Sequence, residues 1–97
     1  MKTYEVQIEQ IVRVTIDETK FTPEFMKAFS DSMYDFETIE EHVKNLAEWR
    51  ARGVIQSDRD FHEGYGHLNE FGITTFVKDT DVYEPEEVKP TSKHTAA

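Results

Sequence analysis

Alternating apolar and polar residues characterise positions 3–17 of the chain. This period of two predicts a β-strand with one apolar face. A straight strand over residues 4–16 would run about 43 Å at ~3.3 Å per residue. A compact chain of this size has a radius of gyration of only about 12.5 Å. We therefore expect the strand to bend, to bulge near Glu9–Ile11, or to project beyond the body. The residues of its apolar face are Tyr4, Val6, Ile8, Val12, Val14 and Ile16.

Two segments with helical spacing follow this strand. Thr22 is a good N-cap and Pro23 suits the first helical position, so the first helix begins here and runs to about Tyr34. Thr38 and Glu41 form the capping-box pattern of a second helix, and Gly53 is its expected C′ residue. The apolar positions of the two helices are Phe25, Met26, Phe29 and Met33, then Ile39, Val43, Leu46 and Trp49.

The remaining chain predicts an ordered loop over 56–66, one helical turn ended by Gly72, and a strand over Ile73–Lys78. Acidic residues 79–87 extend this strand as an edge. The result is a small α+β domain of β-α-α-β order over residues 1–88, with a short antiparallel sheet packed on a helical pair. Residues 89–97 are predicted to be a disordered tail. Because two strands leave two open edges, we expect either a third strand or pairing with another chain.

Composition narrows the function classes. The 97 residues include no cysteine, which excludes a disulfide scaffold, a thiolate metal site and a cysteine nucleophile. No apolar run approaches the ~18 residues of a membrane span. The start, MKTYEVQIEQ, lacks the apolar stretch of a signal peptide, so we expect a cytoplasmic protein. A net charge of −9 repels nucleic acid and anionic membranes and attracts basic surfaces.

The segment from Ser57 to His67 concentrates carboxylates, histidines and glycines, as general acid–base or metal chemistry requires. Its spacing argues against both. His62 and His67 are five residues apart, which fits no short metal motif, and an EF-hand beginning at Asp58 would need glycine where Glu63 stands. We predict no catalytic, cofactor-binding or metal site. The segment is interpreted as a surface loop that Phe61 and Tyr65 anchor to the core, and His42 as a partly buried structural residue.

Acidic residues are instead concentrated in 17–48, with nine acids against three lysines, and in 79–87, with five acids and no base. If the helices pack by their apolar faces, the carboxylates project outward and can imitate backbone phosphates in a basic groove. The alternative is a solvated surface that keeps a small protein soluble. The predicted partner-binding residues are Asp31, Asp35, Glu37, Glu40, Glu41, Glu48, Asp79 and Asp81.

Two segments, Asp17–Met26 and Phe61–Gly66, together with the small, acidic, cysteine-free character of the chain, resemble small phage-borne proteins, and among these the anti-CRISPR inhibitors. The resemblance implies a non-enzymatic inhibitor that binds a CRISPR-Cas complex inside the host bacterial cell and blocks DNA recognition, recruitment of the nuclease or cleavage. Together with the acidic surface, this predicts a DNA mimic that needs no cofactor. Members of that family share no common fold, so it implies no site residue.

Two other hypotheses stay open at this point. One is a regulatory or adaptor protein that self-associates through a strand edge, so that the chain is a monomer or a homodimer. The other is a small enzyme or metal protein that uses Asp58, Asp60, His62 and His67.

Overall fold

The structure is a computed structural model, and it describes residues 1–89. Of the predicted tail, residues 90–97 lie outside the described part. The β-α-α-β order and the α+β class are confirmed, with short 3-10 turns at Glu18–Lys20 and Asn69–Phe71. The helices and strands are β1 (Thr3–Glu5), β2 (Ile8–Ile16), α1 (Pro23–Ser32), α2 (Ile39–Ala51), β3 (Phe61–His62), β4 (Gly66–His67), β5 (Ile73–Val82) and β6 (Glu86–Val88).

Both helices begin where their caps predict. Thr22 Oγ1 accepts the Phe25 N–H at 3.1 Å, and α1 ends at Ser32, two residues before the predicted end. The capping box of α2 is complete, because Glu41 Oε1 accepts the Thr38 N–H at 3.1 Å while Thr38 Oγ1 accepts the Glu41 N–H at 3.3 Å. Such a cap stabilises a helix by about 1 kcal/mol.

The strands form a long two-stranded ribbon in place of a compact sheet. β2 pairs antiparallel with β5 from Ile8↔Val82 to Ile16↔Ile73, and β1 pairs with β6 beyond it. The register shifts between Ile11 and Val12, so the predicted irregularity is present, with the additional residue, Lys78, on β5. The radius of gyration is 18.4 Å and the longest dimension 54 Å, because the ribbon projects beyond the body as well.

The core lies against the inner end of the ribbon. α2 packs across β2 and β5 there, while residues 1–11 and 78–87 are all exposed. Burial of one Leu or Ile side chain contributes about 1.5–3 kcal/mol, so these contacts fix the helices to the ribbon. The buried core residues are Phe21, Phe29, Leu46, Ile55, Tyr65, Leu68 and Ile73.

A short β3–β4 hairpin covers the remaining side of the core. Its turn residue Gly64 has a φ of 93°, and a Cβ placed there would lie 2.6 Å from Cε2 of Phe29 in α1. Gly66 also has a positive φ, of 83°, but no heavy atom lies within 4 Å of its Cβ position. Close approach of the hairpin to α1 therefore requires glycine at position 64, whereas position 66 favours glycine only because of its positive φ.

We expect Gly64→Ala to destabilise the fold more than Gly66→Ala. Both variants place a Cβ in the left-handed region, at a cost of about 1–2 kcal/mol. Gly64→Ala adds overpacking against Phe29, about 1–3 kcal/mol more. Urea unfolding of the two variants measures the difference, and equal losses would contradict the described contact.

Candidate interaction surfaces

The acid-rich loop before the hairpin uses its carboxylates to hold its own backbone. Asp58 Oδ1 accepts the Thr75 N–H at 2.9 Å, which ties the loop to β5. Asp60 Oδ2 accepts the N–H groups of Gln56 and Ser57 at 2.9 and 3.2 Å. The hydrogen bond from Gln56 is the main cause that lowers the pKa of Asp60. Both aspartates thus act as structural acceptors, as the interpretation of an ordered loop predicts.

The two histidines of this segment lie on opposite faces of the hairpin. His62 pairs with Gly66, and Phe61 with His67, so the imidazoles occupy alternate positions of the ladder. His62 packs on Trp49 at 5.2 Å between ring centroids, and its Nε2 lies 3.9 Å from Asp60 Oδ2. Among residues 1–89, no group of three or more His, Asp or Glu side chains is placed to hold a metal.

The two residues predicted to anchor the loop differ in burial. Tyr65 is buried in the core, as expected, whereas the prediction for Phe61 is wrong, since 62% of it is exposed. Phe61 instead stacks edge-on against His67 on the outer face of the hairpin, with ring centroids 5.4 Å apart. Alternation explains the difference, because Phe61 faces away from its neighbour His62, which points toward Trp49.

His42 is fully buried, and not partly buried as predicted. Its Nδ1 lies 2.7 Å from the Tyr65 hydroxyl oxygen, in a hydrogen bond whose donor depends on the imidazole tautomer. Asn45 Nδ2 lies 3.5 Å from the same hydroxyl. Phe29 and Phe36 enclose the imidazole at centroid distances of 4.6 and 5.0 Å. Burial lowers the pKa of His42 and raises that of Tyr65, so this pair is a neutral element of the core.

The lowered pKa of His42 predicts a loss of stability in mild acid. As pH falls below the ordinary histidine value of 6.5, the unfolded chain takes up a proton that the buried imidazole does not. The nearby Glu41 carboxylate opposes this shift only in part. The free energy of unfolding should therefore decrease from pH 7.5 to 5.5, with a slope of at most about 1.4 kcal/mol per pH unit for one proton.

Chemical denaturation across this range measures the slope. We expect His42→Gln, which retains a polar partner for Tyr65 but cannot titrate, to be less stable at pH 7.5 and to lack the slope. His67→Gln removes an exposed imidazole and should keep it. A slope that persists in His42→Gln contradicts the assignment.

The structure divides the six acids of residues 31–48 that are predicted to bind a partner into engaged and unengaged groups. Asp31 forms an ion pair with Lys27 at 3.0 Å, and Glu48 with Arg52 at 2.7 Å. Glu41 accepts the Glu37 and Thr38 N–H groups in its capping box, which lowers the pKa of its carboxyl. Asp35 accepts the Ser30 hydroxyl at 2.7 Å.

Glu37 and Glu40 are the exposed acids of this group whose carboxylates have no hydrogen bond or ion pair within residues 1–89. They lie in the segment 31–41, which joins α1 to α2 and contains five acids and no Lys or Arg. We call this segment the acidic joint. Tyr34, within this segment, is 48% exposed and stacks on Phe36 with ring centroids 5.6 Å apart. The sequence places Tyr34 beside Asp35, but it does not show that this aromatic ring is exposed among the acids.

A shallow cavity of about 210 Å³ continues from the acidic joint along α2. Glu41 and Glu48 contribute its acidic groups, with Lys44 and Asn45 beside them and Phe36 as its apolar wall. The cavity thus combines mixed charge with one aromatic wall.

The other two predicted residues, Asp79 and Asp81, lie on the ribbon beyond the Lys78 irregularity, on a different element from the six acids of residues 31–48. Asp81 is paired directly with Glu9 across the ladder, and Glu86 with Glu5. Such acid–acid pairs are unfavourable in isolation. They make the part of the ribbon beyond the Lys78 irregularity, which we call the outer ribbon, a second acidic surface. This surface is separate in the fold from the acidic joint.

No protein-family model, curated protein or solved structure matches this chain. Within residues 1–89, no helix combines the length and the apolar character needed to cross a membrane.

Proposed function

We propose that this chain is a non-enzymatic inhibitor that binds a basic, nucleic-acid-binding surface of another protein through its acidic joint. The observation that carries the proposal is the cluster of exposed carboxylates in residues 31–41, with no base among them and with Glu37 and Glu40 unengaged. The resemblance to anti-CRISPR inhibitors supports a CRISPR-Cas complex of the host bacterial cytoplasm as the partner.

Two features of the acidic joint support a binding role over a purely solubilising one. Tyr34 offers a rigid aromatic anchor, and such residues often contribute the largest binding energies in interfaces. The capping box fixes the start of α2, so the carboxylates of Glu37 and Glu40 stand on an ordered backbone. A surface that serves only solubility needs neither feature.

The engaged carboxylates of the loop at residues 57–67 support the non-enzymatic part of the proposal. Asp58 and Asp60 already accept hydrogen bonds from the backbone, and His62 and His67 lie on opposite faces. General acid–base catalysis would need such groups to converge on one reacting atom.

We expect Glu37→Gln/Glu40→Gln to weaken binding to a purified CRISPR effector complex about tenfold, if each lost charge pair contributes up to about 1 kcal/mol. The control is Glu63→Gln/Glu70→Gln, which removes the same charge from exposed positions around the hairpin. Calorimetric titrations at increasing salt should show a falling affinity for the native chain. The proposal fails if no effector complex binds, if affinity ignores salt, or if both double variants lose the same affinity.

Glu41 is not a suitable position for this test. Its carboxylate accepts two backbone N–H groups at the start of α2, so a substitution there changes helix stability together with surface charge.

A further inference from the structure

The outer ribbon is a two-stranded structure without support from the body. Two strands alone are marginally stable in water, and a third strand or a covered face is normally required. Seven exposed large apolar residues lie on the ribbon, and the body covers only its inner end. These residues are Tyr4, Val6, Ile8, Ile11, Phe76, Val82 and Tyr83.

The direction of the backbone groups shows which amides each edge offers. The Tyr83 N–H donates to the Gln7 carbonyl at 3.0 Å, so Gln7 points toward β5 and its neighbour Ile8 points away from it. By alternation, the even-numbered residues of β2 direct their N–H and C=O groups outward, and the strand is regular along its whole length.

Three outward N–H groups of the β5 edge are satisfied by the chain itself. The outward N–H of Ile73 donates to the Leu68 carbonyl at 2.9 Å, that of Thr75 to Asp58 Oδ1 at 2.9 Å, and that of Thr80 to Asp79 Oδ1 at 2.9 Å. Lys78 disrupts this edge further along, as bulges and edge lysines do in natural sheets.

Charge and proline protect the same edge. Residues 79–87 carry five acids and Pro85, with no Lys or Arg. A second strand approaching this side meets repulsion and a residue without an N–H group.

The β2 edge has none of these devices. Its outward N–H groups find no acceptor among residues 1–89, and residues 3–16 contain no proline or glycine. The charged side chains of residues 1–16 of the chain are balanced, with Lys2 and Arg13 against Glu5 and Glu9. One edge of the ribbon is thus blocked and the other is left open.

We infer that the open β2 edge pairs antiparallel with the β2 edge of a second copy of this chain, which makes a four-stranded sheet. A two-fold pairing centred on Ile8 places Ile8 opposite itself, and Tyr4 opposite Val12 of the second copy. Glu9 lies opposite Gln7 of that copy, so no two charges of the same sign are directly opposed.

This register also joins apolar surface. Glu5 lies opposite Ile11 of the second copy, with Glu9 and Arg13 of that copy at its two diagonal positions. The apolar faces of both copies lie on the same side of the sheet, because the two-fold axis is perpendicular to it. Centring on Glu9 would instead oppose two carboxylates.

Light scattering of the purified chain tests the pairing over micromolar to millimolar concentrations. We expect a species of twice the 11.4 kDa chain mass, favoured by salt because each copy carries a charge of −9. Gln10→Pro removes an outward N–H of the open edge and should give a monomer. Its matched control Thr80→Pro removes an outward N–H of the blocked edge and should leave the dimer. Gln10 and Thr80 also share one side-chain hydrogen bond of 3.3 Å, so both variants lose it.

A second pair of variants leaves the backbone unchanged. Ile8→Glu opposes two carboxylates at the centre of the pairing and should abolish the dimer, whereas Val82→Glu adds the same charge to the cross-strand partner and should not. Cooperative thermal unfolding of each variant verifies that the body is folded.

Three results overturn the inference. The first is a native chain that stays monomeric at all concentrations and salts. A chain whose open edge pairs only with an extended segment of a different protein would give this result. The second is a dimer that survives both Gln10→Pro and Ile8→Glu. The third is a dimer that only Thr80→Pro and Val82→Glu dissociate. The experiment contains no basic partner, so it is independent of the proposed inhibitor function.

Discussion

Pairing of β2 with β5 is the interaction on which the rest of the structure depends. It joins segments separated by both helices and the hairpin, and the Asp17 N–H donates to the Gly72 carbonyl at 2.9 Å where the two strands meet the body. Helix α2 then has one apolar surface to pack on, and the aromatic side chains of α1 enclose His42 beneath it. The body is long enough to cover only the inner end of the ribbon, so the outer part is exposed on both faces. That single mismatch in length produces the elongated shape and leaves the outer ribbon without a covering element.

Acidity has several roles in this molecule, and the structure separates them. Some carboxylates are structural, such as Asp58 on β5 and Glu41 at the start of α2. Others form exposed ion pairs, which contribute little to stability. The remainder stand at the acidic joint, which we propose as the surface for a basic partner, and along β5, where they border a strand edge. The acids behind the net charge of −9 thus occupy distinct local settings.

Local signals in the sequence predict the helices well, because caps and apolar spacing act within one or two turns. Thr22, Thr38 and Gly53 all have their expected roles. Long-range contacts are harder to predict from the sequence. Strand β5 runs to Val82, within the edge extension that the sequence predicts beyond Lys78. Asp79-Thr80-Asp81 has no apolar alternation, so this part of the strand depends on its pairing with β2. The burial of His42 depends on Tyr65, 23 residues away, and nothing in its own helix indicates that partner. The acidic segments are visible in the sequence, but which carboxylates are engaged is decided by the fold.

Hydrogen exchange at one cross-strand pair tests the central claim most directly, that the ribbon has one blocked edge and one edge built for a partner strand. Ile8 and Val82 are paired in the ladder, and the N–H group of each points outward from its own edge of the ribbon. We predict that the Ile8 amide exchanges slowly in concentrated solution and faster on dilution, while the Val82 amide exchanges fast at every concentration. Equal exchange of the two amides, unaffected by concentration, would contradict the account.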